Sequence, residues 1–196
     1  MNANLVDGQF EFETIGDEPP LGLTGSGLLR VVYELVTAGV VDSSRRMSSA
    51  PPMMKDQLVD GEGPKTIYLT PERNVWLTQK DIRELQKAKG AIRAAIAVLM
   101  NALNMAPKDL DRVILTGSFG GQLDAEAVIG LGMIPNVKPE KVHAIPNGAG
   151  MGAAMFLSDE GFALGKKLAS KSQQVDLDQN ADFHHIFIDA LAFKAG

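Results

Sequence analysis

The segment from Val113 to Gly130 joins an apolar run, a glycine-rich turn and a helical stretch, and it restricts the fold more than any other segment. The run is apolar on both faces from Val113 to Leu115, which is typical of a strand in a covered sheet. The turn reads Thr-Gly-Ser-Phe-Gly-Gly, and its glycines let the backbone approach a neighbour closely. The following helix adds the positive end of its dipole. This pattern predicts either a site for an anion or flat ring, or a plain turn with Phe119 in the core.

The rest of the chain reads as alternating strands and helices, which predicts an α/β fold. A strand at 8–16 begins so near the first residue that its sheet partners are expected to come from elsewhere. Residues 43–66 are rich in serine, proline and glycine and predict an irregular excursion with a short ordered piece. The other predicted elements are a helix ending near Gly39, a hairpin at 65–78, a helix at 77–105, a short helix capped by Asp124, a strand at 141–146, a helix of small residues at 147–171 and a strand or short helix at 183–193.

The helix at 77–105 has the clearest periodicity. Thr78 and Asp81 form a capping-box pattern at its start. Its apolar stripe consists of Ile82, Leu85, Ile92, Ile96, Leu99 and Leu103, and the first five of these are predicted to be buried against the sheet. Gln86, Lys89 and Arg93 share another face, which is either a solvated surface or the wall of a cleft. We expect Lys89 to be at least partly accessible.

Two further glycine-rich stretches precede helices. Residues 22–27, GLTGSG, are either a phosphate cradle or a glycine-rich N-cap, and the lysine of a Walker A motif is missing. Gly148, Gly150 and Ala153 match the spacing of a dinucleotide fingerprint. Pro146 and the following asparagine interrupt the match, so close helix packing is the alternative and better account.

Composition excludes several classes of function. The net charge of −5 over 196 residues argues against nucleic acid as a partner. No apolar run approaches the roughly 20 residues that span a bilayer, and no signal-peptide pattern is present, which predicts a soluble, cytoplasmic protein. The absence of cysteine excludes disulfides, thiolate zinc sites and an ordinary iron–sulfur cluster within this chain. His184 and His185 cannot share a face, so no metal site is expected, and no nucleophile–base pair predicts a catalytic residue.

Four blocks occur in an order that resembles the C-terminal part of the reductive activators of corrinoid proteins. The blocks are GLTGSGLLRVVYELVTAGVVD, WLTQKDIRELQKAKGAIRAAI, RVILTGSFGGQLDAEAVIGLGMIP and NGAGMGAAM, and the resemblance covers about residues 5–195. That family belongs to the superfamily of acetate and sugar kinases, heat-shock proteins and actin (ASKHA). The resemblance implies an α/β, ribonuclease-H-like lobe, as in actin and heat-shock ATPases, with a mixed sheet covered by helices. It also implies that residues 1–196 form a single lobe.

The resemblance gives the glycine-rich turn a role. In the superfamily, ATP lies in a cleft between two lobes, and a strand that runs into such a turn contacts the adenosine. LTGSFG matches this motif, which implies contacts from Gly117, Ser118, Phe119 and Gly120. QKAKGAI resembles a helix segment that flanks the nucleoside in heat-shock ATPases. The likeness adds three further candidate residues to the site: Gln86, Lys89 and Gly90.

The chain also departs from the family pattern. Relatives carry an N-terminal ferredoxin-like domain with a 2Fe–2S cluster and two phosphate motifs that hold the phosphates and Mg²⁺, and none of these occurs here. Thr24 stands where a cysteine is expected. We therefore expect a fragment: the C-terminal lobe of a larger ATPase that helps to reduce a corrinoid protein. This lobe is expected to be inactive alone, and a homodimer is one assembly open to it. The alternatives are an interaction or dimerisation module without nucleotide chemistry, and a lobe of a sugar or acyl kinase.

Overall fold

The computed structural model describes residues 3–42, 46–117, 122–177 and 179–193. Strands and helices alternate through these ranges, which confirms the α/β class. The strands are β1 (Ala3–Val6), β2 (Gln9–Phe12), β3 (Leu58–Val59), β4 (Thr66–Tyr68), β5 (Trp76–Thr78), β6 (Val113–Gly117) and β7 (Val142–Pro146). The helices are α1 (Gly25–Thr37), α2 (Gln79–Ala102), α3 (Ala125–Gly130), α4 (Gly148–Met155), α5 (Asp159–Ala169) and α6 (Phe183–Ala190).

The described strands form three small sheets. β1 pairs with β2, and β3, β4 and β5 follow one another in a second sheet; both of these sheets are antiparallel. β6 and β7 form a parallel pair. Both strand orientations are thus present, as expected for a mixed α/β fold, but they are divided among separate sheets.

The strand at the amino end finds its partner in the residues just before it. β1 and β2 form a hairpin in which Val6 pairs with Gln9. Asp7 and Gly8 make the two-residue turn, and both have positive φ angles, of 49° and 80°. This is the conformation of a type I′ turn, for which Asp-Gly is a strong sequence signal. The expectation of partners from elsewhere is therefore wrong, and this dipeptide was the signal that could have corrected it.

The excursion at 43–66 contributes to the core in its described part. β3 pairs with β4, which is the short ordered piece that the sequence predicts. Met47 and Met54 are buried in the same cluster as the inner faces of α1 and β4. The burial of these two methionines could not be predicted from the sequence, because each is a single apolar residue in a polar, irregular stretch without periodicity.

α2 begins as its sequence predicts but buries a different face. Thr78 and Asp81 form the capping box, with the Thr78 amide donating to Asp81 Oδ2 at 2.8 Å. The predicted stripe holds for Ile82, which is buried, but Ile92 is 41% exposed and Leu99 is 45% exposed. The expectation is wrong for these last two residues: the segment around α6 packs on α2 at Gln86 and Gly90, on a different face of the helix from Ile92 and Leu99.

The carboxyl-terminal third of the chain is divided into more elements than its periodicity predicts. The stretch predicted as one helix at 147–171 forms two, α4 and α5. Ser158 lies between the two helices and is the N-cap of α5. Its hydroxyl donates to Met155 O and accepts from Gly161 N, both at 3.1 Å. The segment at 183–193 contains helix α6. Within the described residues, none of the helices combines the length and apolar character needed to cross a bilayer.

Candidate nucleotide site

The two parallel strands end together at one edge of their pair. β6 and β7 run in register from Val113 opposite Val142 to Gly117 opposite Pro146. The chain leaves β7 at this edge through the glycine-rich stretch that begins at Asn147. In α/β proteins the carboxyl ends of parallel strands are the common position of ligand sites.

Gly117 is held in a conformation that favours glycine. Its φ angle is +108°, and a Cβ added to it would meet no atom of the described residues within 4 Å. Backbone geometry therefore accounts for the glycine. The next three candidate residues, Ser118, Phe119 and Gly120, lie outside the described residues, so their contacts with an adenosine stay a prediction.

The loop after β7 is tied to β6 through its glycines. The Gly148 amide donates to Thr116 Oγ1 at 2.8 Å, and a Cβ on Gly148 would overlap this hydroxyl. Asn147 caps α4 by accepting from the Gly150 amide at 3.2 Å. Two amides at the start of α4 thus already have partners within the chain. Close packing, rather than a dinucleotide fingerprint, accounts for these glycines.

The glycine-rich stretch before α1 is a helix cap. Thr24 Oγ1 accepts from the Gly27 amide at 3.1 Å, which is the N-cap alternative for residues 22–27. A cavity of about 350 Å³ lies beside this cap. Leu21 and Trp76 are exposed residues of its lining.

The α2 candidates lie beneath the C-terminal segment. Lys89 is 1% exposed; its ammonium donates to Ala192 O, and its Nζ lies 5.3 Å from the centre of the Phe193 ring. Gln86 is 4% exposed, and its Nε2 lies 3.5 Å from Leu191 O. The expectation that Lys89 is partly accessible is therefore wrong. A long side chain can be buried when its charged end has polar partners, and the downstream backbone supplies them here.

Gly90 makes room for the same segment. A Cβ on Gly90 would lie 3.1 Å from Leu191 Cδ2 and 3.4 Å from Phe187 Cε2. The structure thus brings Gln86, Lys89 and Gly90 together against the residues around α6. It gives no contact between these three and Gly117, so the shared nucleoside surface stays a prediction.

A cavity of about 460 Å³ opens next to Lys89, between α2, the residues after α3 and α6. Arg93 also lines it, and burial lowers the pKa of its guanidinium. Gly117 does not line this cavity. The spacing of Lys89 and Arg93 predicts that they share one helix face. The sequence does not predict the other walls of the cavity, because these come from segments that are distant in sequence.

Structural metal sites are built from clustered His, Cys, Asp or Glu side chains. No three such side chains within the described residues form a group that could hold a metal ion.

The chain matches one family of known domains. The family model described as the C-terminal domain of RACo, the ASKHA domain, matches residues 2–195, and the chain belongs to this family. Among solved structures, a reductive activator for corrinoid, iron-sulfur protein superposes with a TM-score of 0.86 at 26% identity and covers 98% of this chain. The ribonuclease-H-like ASKHA fold inferred from the sequence is thereby confirmed.

Two curated relatives show the same kinship. The chain is 28% identical over 162 residues to the corrinoid activation enzyme RamQ of Eubacterium limosum, a match that covers 77% of this chain. It is 28% identical over 115 residues, 59% of this chain, to the Co(II) methylated amine-specific corrinoid protein reductase of Methanosarcina barkeri. The matches span 27% and 18% of these two relatives and 32% of the solved activator.

Proposed function

We propose that this chain is the adenosine-side lobe of a cytoplasmic, ATP-dependent reductive activator of corrinoid proteins. The named relatives act in corrinoid activation or reduction, and none of them is a sugar or acyl kinase. The observation that carries the nucleotide role is Gly117, which has a positive φ and no described atom within 4 Å of an added Cβ, at the edge where β6 and β7 end together. A flat base or ribose can approach the glycine backbone there without meeting a side chain of the described residues.

Residues 117–120 supply the adenosine contacts in this proposal, and Gln86, Lys89 and Gly90 flank the nucleoside. The C-terminal segment covers the three α2 residues. Direct contact between them and ATP therefore requires residues 187–193 to move away from α2. Such a movement would couple nucleotide binding to the position of the C-terminal segment.

The remaining parts of the reaction belong to a longer polypeptide. The phosphate motifs with Mg²⁺ lie in a partner lobe, and the 2Fe–2S cluster that delivers the electron lies in an N-terminal domain. ATP-driven movement of the two lobes changes the affinity for the corrinoid protein, which binds as the partner in its oxidised state. This chain closes one side of the nucleotide cleft.

The nucleotide role is tested with Gly117→Val in a polypeptide that holds both lobes. The branched side chain would occupy the space proposed for the base or ribose, so binding of a fluorescent ATP analogue should be lost. Gly39→Val is the control for backbone strain, since Gly39 also has a positive φ, of 74°, with no described atom within 4 Å of an added Cβ. Each change places a branched side chain at a positive φ. Equal ATP affinity in the two variants would remove Gly117 from the site.

A second candidate function is that of an interaction or homodimerisation module, and exposed apolar residues on α4 and α5 favour it. α4 is apolar all round, yet none of its residues is buried, and Leu157 directly after it is 90% exposed. A helix of this kind is normally covered by another element. Sedimentation of this chain should show a concentration-dependent dimer that Leu157→Glu abolishes and that Trp76→Glu, an exposed residue of β5, leaves intact. A monomer at all concentrations would reject homodimerisation.

A further inference from the structure

The cavity beside Lys89 has a size and a wall that suit a small ligand. Its volume of about 460 Å³ falls within the usual range for ligand pockets, roughly 300–1,000 Å³. Three separate segments enclose it: α2 on one side, residues 129–136 on another, and α6 with the residue pair after it on the third. The lining consists of Lys89, Arg93, Ala97, Ile129, Gly130, Gly132, Ile134, Asn136, Ile186, Asp189, Ala190 and Ala192.

Positive charge dominates the α2 wall. Lys89 and Arg93 stand four residues apart on the same helix, and their like charges lie side by side. The Lys89 ammonium is already bonded to Ala192 O. Arg93 is half-buried and forms no ion pair or side-chain hydrogen bond within the described part of the chain. Asp189 is the acidic member of the described lining, and its Oδ2 lies 3.4 Å from His185 Nε2, towards solvent.

The Arg93 guanidinium is half-buried and has no carboxylate partner within the described residues. Desolvation by burial lowers the pKa of Arg93, because the charged form loses part of its hydration. A bound anion would restore that stabilisation, because guanidinium forms short, bidentate hydrogen bonds with carboxylate and phosphate. The Asn136 amide lines the same space and offers a further donor.

The remaining walls are apolar or small. Ile129, Ile134 and Ile186 provide apolar surface, and Gly132 adds no side chain to the lining. We infer that this cavity binds a small organic anion, with its phosphate or carboxylate on Arg93 and its apolar body against the isoleucines. Arg93 has no part in the nucleotide site proposed above, and the two sites share only Lys89.

The anion site can be tested on this chain by NMR with phenyl phosphate as the probe. We expect saturable shifts of the Arg93 Nε–Hε signal and of the backbone amides at 129–134 and of Asn136, and no comparable shifts with uncharged phenol. Arg93→Met should weaken binding about tenfold or more, since it removes the charge and keeps an unbranched side chain. Arg83→Met, an exposed arginine on the same helix, should bind as the parent does.

A second variant keeps the test decisive if Arg93→Met fails to fold. Ala97→Leu fills the cavity without changing the charge, so it should also weaken binding, with the melting temperature kept. Unchanged affinity in Arg93→Met, equal losses in Arg93→Met and Arg83→Met, or tight binding by Ala97→Leu would each overturn the inference.

Adenosine monophosphate distinguishes the source of the anion. If it displaces phenyl phosphate and Gly117→Val weakens the binding of both, the anion is a nucleotide phosphate and the cavity belongs to the nucleotide site. If phenyl phosphate binds but the nucleotide neither binds nor competes, the ligand is another organic phosphate or carboxylate. In that case the anion site stands even if the nucleotide proposal fails.

Discussion

Replacing Gly148 with alanine tests the contact that joins β6 to α4. The added Cβ would overlap Thr116 Oγ1 and lie 3.2 Å from Thr116 Cβ. Either Thr116 rotates and loses the 2.8 Å bond from the Gly148 amide, or α4 shifts away from the strand. Loss of the hydrogen bond costs about 1 kcal/mol, overpacking adds about 1 kcal/mol at this exposed position, and the helix preference of alanine returns part of it. The net loss is about 1–2 kcal/mol.

The loss is measured by urea and thermal unfolding. In a protein of this size it lowers the melting temperature by about 2–8 °C. Gly152→Ala in the same helix is the control, because a Cβ there meets no atom within 4 Å. That change should raise stability by up to about 1 kcal/mol.

A double-mutant cycle identifies the cause. Thr116→Ala removes the hydroxyl, so Gly148→Ala should cost less in that background, with a coupling energy of about 1 kcal/mol. If Gly148→Ala stabilises the protein as Gly152→Ala does, or if the two changes are additive, the close approach of β6 and α4 does not require a glycine.

Three further predictions concern Gly161, Gly90 and the ATPase activity of the chain alone. Gly161→Ala should destabilise the protein by about 2–3 kcal/mol in thermal melts, because its Cβ would lie 2.7 Å from the carbonyl carbon of Met155. Gly90→Ala should be neutral or stabilise the protein by up to about 1 kcal/mol, because the nearest atom to the added Cβ is the movable end of the Leu191 side chain. Gly90→Leu should instead displace α6 and speed proteolysis within 183–193. If the Gly90→Leu variant and the parent are cleaved there at the same rate, the packing of α6 on α2 is contradicted. The chain alone should show no ATPase activity above a buffer control, since the phosphate motifs are absent from its sequence, and turnover that survives repurification would refute the one-lobe proposal.

Local features of the fold could be predicted because they depend on residues close in sequence. Thr78 with Asp81 and Asp124 with Ala127 form the caps that their spacing indicates. The Asp7–Gly8 turn shows that a local signal can also be overlooked, although it was present. Each of these features is decided by a hydrogen bond or a dihedral preference within about four residues.

The buried face of α2 could not be predicted in this way. Lys89 meets Ala192 across 103 residues of sequence, and the charge of a lysine normally indicates solvent. The helical periodicity of α2 offers two candidate faces, and only the arrival of α6 decides between them.

The sequence by itself determined the α/β class, the caps, the family and the position of the strand that became β6. The tertiary structure alone decided which glycines lie against other elements, as Gly90 and Gly148 do, and which has no described atom within 4 Å of an added Cβ, as Gly117 does. The difference has a physical cause. Glycine is compatible with all of these environments, so the presence of a glycine in the sequence does not indicate which atoms lie near it. Those distances are set only by the packing of elements that are distant in sequence.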